Sequence, residues 1–186
     1  MRSLAPIVFF AYNRPEHTRL VLESLRNNRL ADESKLFIYI DGPKPNATGE
    51  TLAAIAGVKK VVREKQWCKE VNIIEATENK GLIKSNAEGV TRMVNEFGRV
   101  IAMEDDGLLS PGFLTYMNDA LDFYENNPKV MHIAAYRRPE FAPVEVKEVY
   151  RMSTQYDRAV FIITLQSPAD LPQRGDAPRH PPQSRA

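Results

Sequence analysis

Four short apolar runs, "PIVFFAY", "KLFIYID", "VNIIEA" and "RVIAME", are spaced along the first 104 residues with helix-length stretches between them. Each is rich in Val, Ile, Phe or Tyr, which pack well on a pleated surface, and each is too short for a buried helix. Between the first two, Thr18, Val21, Leu22 and Leu25 recur at helical spacing from Glu16 to about Asn28, and Pro15 suits the first helical turn. "ETLAAIAGVKKVVREKQW" reads as a second helix with Gly57 as a possible interruption, and "NKGLIKSNAEGVTRMVNEF" as a loop running into a third that stops at Gly98. In "SPGFLTYMNDALDFYENN", Ser110 is the expected N-cap and Pro111 the first helical residue of a fourth helix, and "VMHIAAY" follows as a fifth strand. Strand and helix in strict alternation predict an α/β fold: an open, mostly parallel sheet with helices on both faces.

In such sheets, ligands bind beyond the carboxyl ends of the strands. The residues expected there are Tyr12-Asn13-Arg14, then Asp41, then the segment Asn79 to Asn86, then Glu104-Asp105-Asp106. The last group is the most pointed. "VIAMEDDG" ends a strand of buried type in three carboxylates that repel one another, and local stability gives no reason to cluster them. A hard divalent cation, Mg²⁺ or Mn²⁺, takes oxygen ligands and would relieve the repulsion. Taken singly, the triplet also fits a charged loop, Asp41-Gly42 a turn and Arg14 a surface cation. Their joint placement favours a binding edge. A nucleoside diphosphate suits it: Tyr12 against the base, Asp41 accepting from a base N–H, and Arg14 answering a carbonyl or phosphate. A cation at Asp106 would neutralise the diphosphate as a leaving group.

The 186 residues fit one domain with a substantial core. A net charge of +1 points to neither nucleic acid nor an anionic membrane surface as partner. Cys68 is the single cysteine, so no intrachain disulfide forms, and a reducing, cytoplasmic location is expected, with Cys68 a buried or half-buried thiol without chemistry. "MRSLAPIVFFAYNRPEH" is broken by Pro6 and reads as a first strand, not a signal peptide. No run approaches the roughly 20 apolar residues of a transmembrane helix. His17, His132 and His180 are too scattered to predict a metal cluster or a catalytic histidine.

The segments "VFFAYNRPEHTRLVLESL", "LFIYIDGP", "NKGLIKSNAEGV" and "VIAMEDDGLLSPGFLTYMNDALDFY" together resemble the Rossmann-like nucleotide-sugar-binding half of GT-A fold glycosyltransferases, close to the family-2-like bacterial enzymes. The last is also similar to the Glu-Asp-Asp form of the DXD motif in the N-acetylglucosaminyltransferases that build N-glycan branches. The likeness covers about residues 5 to 136. It implies transfer of a sugar from a nucleotide-sugar donor to a saccharide or other hydroxyl acceptor, assisted by Mn²⁺ or Mg²⁺. It further implies metal binding by Asp106, ribose or sugar contacts by Glu104 and Asp105, nucleobase-region contacts by Asp41 and Arg14, and stacking by Tyr12. The family's loop reads Asn-x-Gly followed by Ala-Arg-Asn-x-Gly; here Ser85-Asn86-Ala87-Glu88-Gly89 places Asn86 at the arginine, with Lys84 as a substitute cation near the diphosphate.

The resemblance ends where the composition changes. Residues 1–150 are expected to form the nucleotide-sugar-binding domain and 151–186 a divergent segment. From about residue 167, "SPADLPQRGDAPRHPPQSRA" cannot bury a core and is expected to be disordered. Relatives build the acceptor pocket, and in inverting members the catalytic base, from a second half. Here Asp157, Asp170 and Asp176 are the late carboxylates and nothing singles one out. Two readings follow: an active glycosyltransferase, or a truncated, non-catalytic relative that only binds nucleotide. A metal-dependent phosphotransferase built on Asp105-Asp106 ranks below both, since no P-loop or nucleophilic Asp-x-Asp strand start is present.

Overall fold

The computed structural model describes residues 3–127, 130, 132–135 and 161–163. Its elements are β1 (Ile7–Ala11), α1 (Pro15–Arg26), a 3₁₀ turn (Ala31–Glu33), β2 (Lys35–Ile40), α2 (Gly49–Val61), β3 (Glu70–Glu75), α3 (Leu82–Phe97), β4 (Ile101–Glu104), α4 (Phe113–Tyr124), β5 (His132–Ala134) and β6 (Phe161–Ile163). The first four strands form one parallel sheet in the order β3-β2-β1-β4. The alternation read from the sequence is therefore the α/β fold observed.

Every residue of β1 is buried, because both faces of the sheet are covered. Ile7, Phe9 and Ala11 pack into one core with Leu22 of α1, Val58 of α2 and Leu114 of α4. Val8 and Phe10 face the other way, into a smaller core with Val90, Met93 and Val94 of α3. Gly89 lets α3 lie close to the sheet, since a Cβ there would stand 2.8 Å from the Phe10 ring. The strand β3 is only partly buried, as suits the sheet edge.

Three local expectations change. The helix α2 runs through Gly57 without a break, capped by the Thr48 hydroxyl, which accepts from the Thr51 N–H at 3.2 Å. Gly57 sits where α2 meets α1, and a Cβ there would lie 3.2 Å from Pro15. The helix α4 begins at Phe113, so Ser110 is not its N-cap nor Pro111 its first residue. The Ser110 carbonyl accepts from the Phe113 N–H, and the Pro111 carbonyl accepts from the Arg29 N–H, both at 3.0 Å. That tie to the end of α1 holds the two residues in a turn, and the helix starts beyond it. The fifth strand is short and lies outside the parallel sheet, pairing antiparallel with β6.

Among the described residues no helix is long and apolar enough to cross a membrane. The expected boundary at residue 150, the segment from residue 167, and Asp157, Asp170, Asp176 and His180 lie outside the described residues.

Candidate functional site

The sheet order runs from β1 to β2 and β3 on one side and to β4 on the other. Such a reversal opens a crevice at the carboxyl ends of the two strands that flank it. Here those ends carry Tyr12-Asn13-Arg14 after β1 and Glu104-Asp105-Asp106 at the end of β4, with Phe10 in register with Glu104. A guanidinium N–H of Arg14 donates to Asp105 across the gap. Asp105 is only 4% exposed, whereas the Arg14 side chain is 47% exposed. Arginine carries five N–H donors, so one bond to Asp105 leaves others for a ligand in the crevice. Asp106 is half-buried and has no hydrogen bond or ion pair with another described side chain.

Burial pushes the Asp105 carboxyl above the usual carboxylate range, the Arg14 charge and hydrogen bond pull it back, Asp106 raises it and His17 lowers it, with burial dominant. The folded chain therefore holds the Asp105 proton to higher pH than the unfolded chain does. Stability contributed by this group is complete below the unfolded pKa and is lost as pH rises through the folded one. The stability of wild type relative to Asp105→Asn should thus be level in strong acid and decline as pH is raised from about 4. Urea midpoints of the two proteins across a pH series measure it; a rising difference would reverse the sign.

A second group lies on the α3 face of the sheet. Tyr39, Phe10 and Glu104 stand in register on β2, β1 and β4. From α3, the Asn86 amide donates to Glu104 Oε1 at 2.9 Å. The Tyr39 hydroxyl and Asn86 Oδ1 are buried without a hydrogen-bond partner among the described residues. Asn86 thus reaches the end of β4 as a neutral side chain and binds Glu104.

A third group surrounds Asp41, which is 7% exposed at the end of β2. Its Oδ1 accepts from the N–H groups of Gly42 at 2.9 Å and Lys80 at 2.8 Å. Its Oδ2 accepts from the Asn79 amide at 3.0 Å and the Gly81 N–H at 2.9 Å. Tyr12 is half-buried just beyond β1. Lys84 is exposed on the first turn of α3, where its charge acts on Glu88, and Lys80 Nζ donates to the same Glu88 at 2.5 Å.

One contributor escaped the sequence. His17 stands three residues after Arg14 on the first turn of α1, so one turn of helix brings its charge to bear on Asp105. The clue was its helical spacing from Arg14. Asn79, expected at a strand end, acts on Asp41: its amide grips both that carboxylate and the Gly42 carbonyl. Cys68 is buried, and burial alone pushes its thiol up to about 12, which leaves it inert at neutral pH.

Among the described residues, no group of three or more His, Cys, Asp or Glu side chains is arranged to cage a metal ion. Asp105 is engaged by Arg14, and Asp106 beside it has no side-chain partner among the described residues. One or two carboxylates with the remaining positions left to phosphate oxygens is the usual donor set for Mg²⁺-type ions that arrive with a nucleotide. The residues fit that kind of cation.

No family model matches the chain, and no curated protein matches it in sequence. Solved structures do. A mannosyltransferase, PcManGT from Pyrobaculum calidifontis in complex with GDP-Man and Mn²⁺, superposes with a TM-score of 0.51 at 17% identity, covering 76% of this chain and 37% of that one. The S. aureus protein TarS matches at a TM-score of 0.44 and 12% identity over 70% of this chain and 20% of its own. A TarS structure of residues 1–349 matches at 0.41 and 14% over 66% and 32%. The chain thus spans between 20% and 37% of the length of these proteins. Its likeness to the mannosyltransferase is one of fold.

Proposed function

We propose that the crevice between the ends of β1 and β4 binds a nucleoside-diphosphate sugar with a divalent cation, and that the chain carries the donor-binding part of a GT-A glycosyltransferase. The observation that carries this reading is the Arg14–Asp105 pair spanning the crevice, with Asp106 next to it unpartnered among the described residues. The fold shared with a mannosyltransferase, whose structure holds GDP-Man and Mn²⁺, supports it.

In this reading Asp106 would hold the cation, which would supply charge neutralisation for the departing diphosphate. Arg14, fixed by Asp105, offers its remaining donors to the diphosphate or the base carbonyl. Glu104, held by Asn86, faces ribose or sugar hydroxyls as an acceptor. Tyr12 lies against the base, and Lys84 adds positive potential at the rim. The acceptor is a saccharide or another hydroxyl compound.

Calorimetry with UDP and GDP, with Mn²⁺ present or chelated, tests the proposal. Chelation should weaken binding at least about ten-fold, a change of roughly 1.4 kcal/mol. Asp106→Asn should abolish that metal dependence while leaving the folded fraction unchanged. Equal binding with and without metal would remove the cation from the site. Release of nucleoside diphosphate from a donor sugar in the presence of saccharide acceptors then separates transfer from binding alone.

A further inference from the structure

An ionised carboxylate offers about four acceptor positions. All four of Asp41 are taken, by the N–H groups of Gly42, Lys80 and Gly81 and by the Asn79 amide. Three of these donors come from a loop some forty residues downstream. The same loop is tied back twice more: the Asn79 N–H donates to the Pro43 carbonyl at 3.2 Å, and its side-chain amide donates to the Gly42 carbonyl at 3.0 Å. Gly81 has φ 76° and ψ 159°, a region that only glycine enters readily. That conformation sits between the Gly81 N–H and Leu82, so it sets how the chain leaves Asp41 and enters α3, while the successive N–H groups of Lys80 and Gly81 meet the two oxygens of one carboxylate. Paired backbone N–H groups of this kind form a concavity for phosphate or carboxylate. Here the chain's own carboxylate fills it.

The helix α3 starts at Leu82, directly after this clasp, with Gly81 in the cap position and no side-chain cap of its own. From that start, α3 carries Lys84 and, half a turn on, Asn86, whose amide holds Glu104 at 2.9 Å. We propose that Asp41 is a positioning residue: its carboxylate latches the Asn79–Gly81 loop to the end of β2 and thereby sets where α3, and with it the Asn86–Glu104 pair, meets the sheet edge. Its influence on a ligand runs through that loop, because a base N–H arriving at Asp41 would have to displace a donor already in place. The part of this concerning ligands rests on the proposed nucleotide site; the latch itself does not.

Asp41→Asn replaces two accepting oxygens by one and puts an NH₂ group against backbone donors. Amide hydrogen exchange at Lys80 and Gly81 reads the latch directly, since both N–H groups donate to Asp41. Their exchange should accelerate by about ten-fold or more in Asp41→Asn, while strand amides such as that of Ile38 keep their protection. Asn79→Ala, which leaves the carboxylate intact, should accelerate the same two amides, and it decides the matter if Asp41→Asn fails to fold. In calorimetry with Mn²⁺, both variants should weaken UDP and GDP by the same factor. Unchanged exchange at Lys80 and Gly81 in a folded variant would overturn the latch. So would an Asp41→Asn protein that switches preference between UDP and GDP with its loop still protected. If wild type binds neither nucleotide, the proposed function fails while the exchange result still decides the latch.

Discussion

Trp67→Ala is expected to lower the stability of the fold by about 3–5 kcal/mol, the range for emptying a buried aromatic site. Trp67 is 1% exposed and heads the large, fully buried side chains. It packs in the larger core with β1, β2 and α2, and its indole N–H donates to the Val62 carbonyl at 3.0 Å, pinning the end of α2 ahead of β3. The substitution leaves a cavity and strips Val62 of its partner together. Since a domain's whole stability is about 5–15 kcal/mol, the loss is a large share of the total and should lower the denaturation midpoint clearly. Trp67 is the only tryptophan, so the transition must be followed by circular dichroism and not by fluorescence. Trp67→Phe keeps most of the volume and should cost clearly less. A midpoint for Trp67→Ala close to wild type would mean that this part of the core is not load-carrying.

Gly42→Ala should cost about 3 kcal/mol, the upper end of what overpacking usually costs. A Cβ at Gly42 would lie 2.5–2.6 Å from three backbone atoms of Glu78. A side chain could swing aside; the peptide unit of Glu78 cannot, because the neighbouring Asn79 N–H is bonded to the Pro43 carbonyl. Gly42 lacks the positive φ seen at Gly81 and Gly98, so the penalty is one of space and not of backbone conformation. Denaturation curves should show the loss as a lowered midpoint. Gly98→Ala provides the contrast. Its Cβ would meet nothing within 4 Å, so only the left-handed φ of 78° opposes it, and the loss should be about 1 kcal/mol.

The sheet was legible because β1, β2 and β4 are sandwiched between helices, and covering on both faces forces an unbroken apolar run. The helix α1 announced itself through a stripe on one side, and α3 through its stop at Gly98. What stayed hidden was decided by partners distant in sequence. Ser110-Pro111 has the right chemistry to open α4, but the Arg29 N–H captures the Pro111 carbonyl first. "VMHIAAY" has strand character, yet no pattern within it says which sheet it joins. At the site, the acid triplet and Arg14 could be picked out by their place at strand ends. Which acid Arg14 would bind depends on the turn after Glu104. Asp41-Gly42 reads alike as a turn or as a ligand contact, since its true partners lie at Asn79, Lys80 and Gly81.

The Arg14–Asp105 pair joins residues 91 apart in the chain. Its two strands are neighbours in space, but β2, α2, β3 and α3 are all made between them. At about 5–20 residues per second of synthesis, β1 waits roughly 5–20 s for β4 to appear. During that interval β1, β2 and β3 can pair in the order in which they emerge, with the flank that β4 will occupy still open. Closing so long a loop is entropically costly and slow compared with helix formation. The crevice is consequently complete only once β4 has docked, and on the proposed function a nucleotide that bridged its two sides would act only on the finished sheet, drawing the folding equilibrium toward it by mass action.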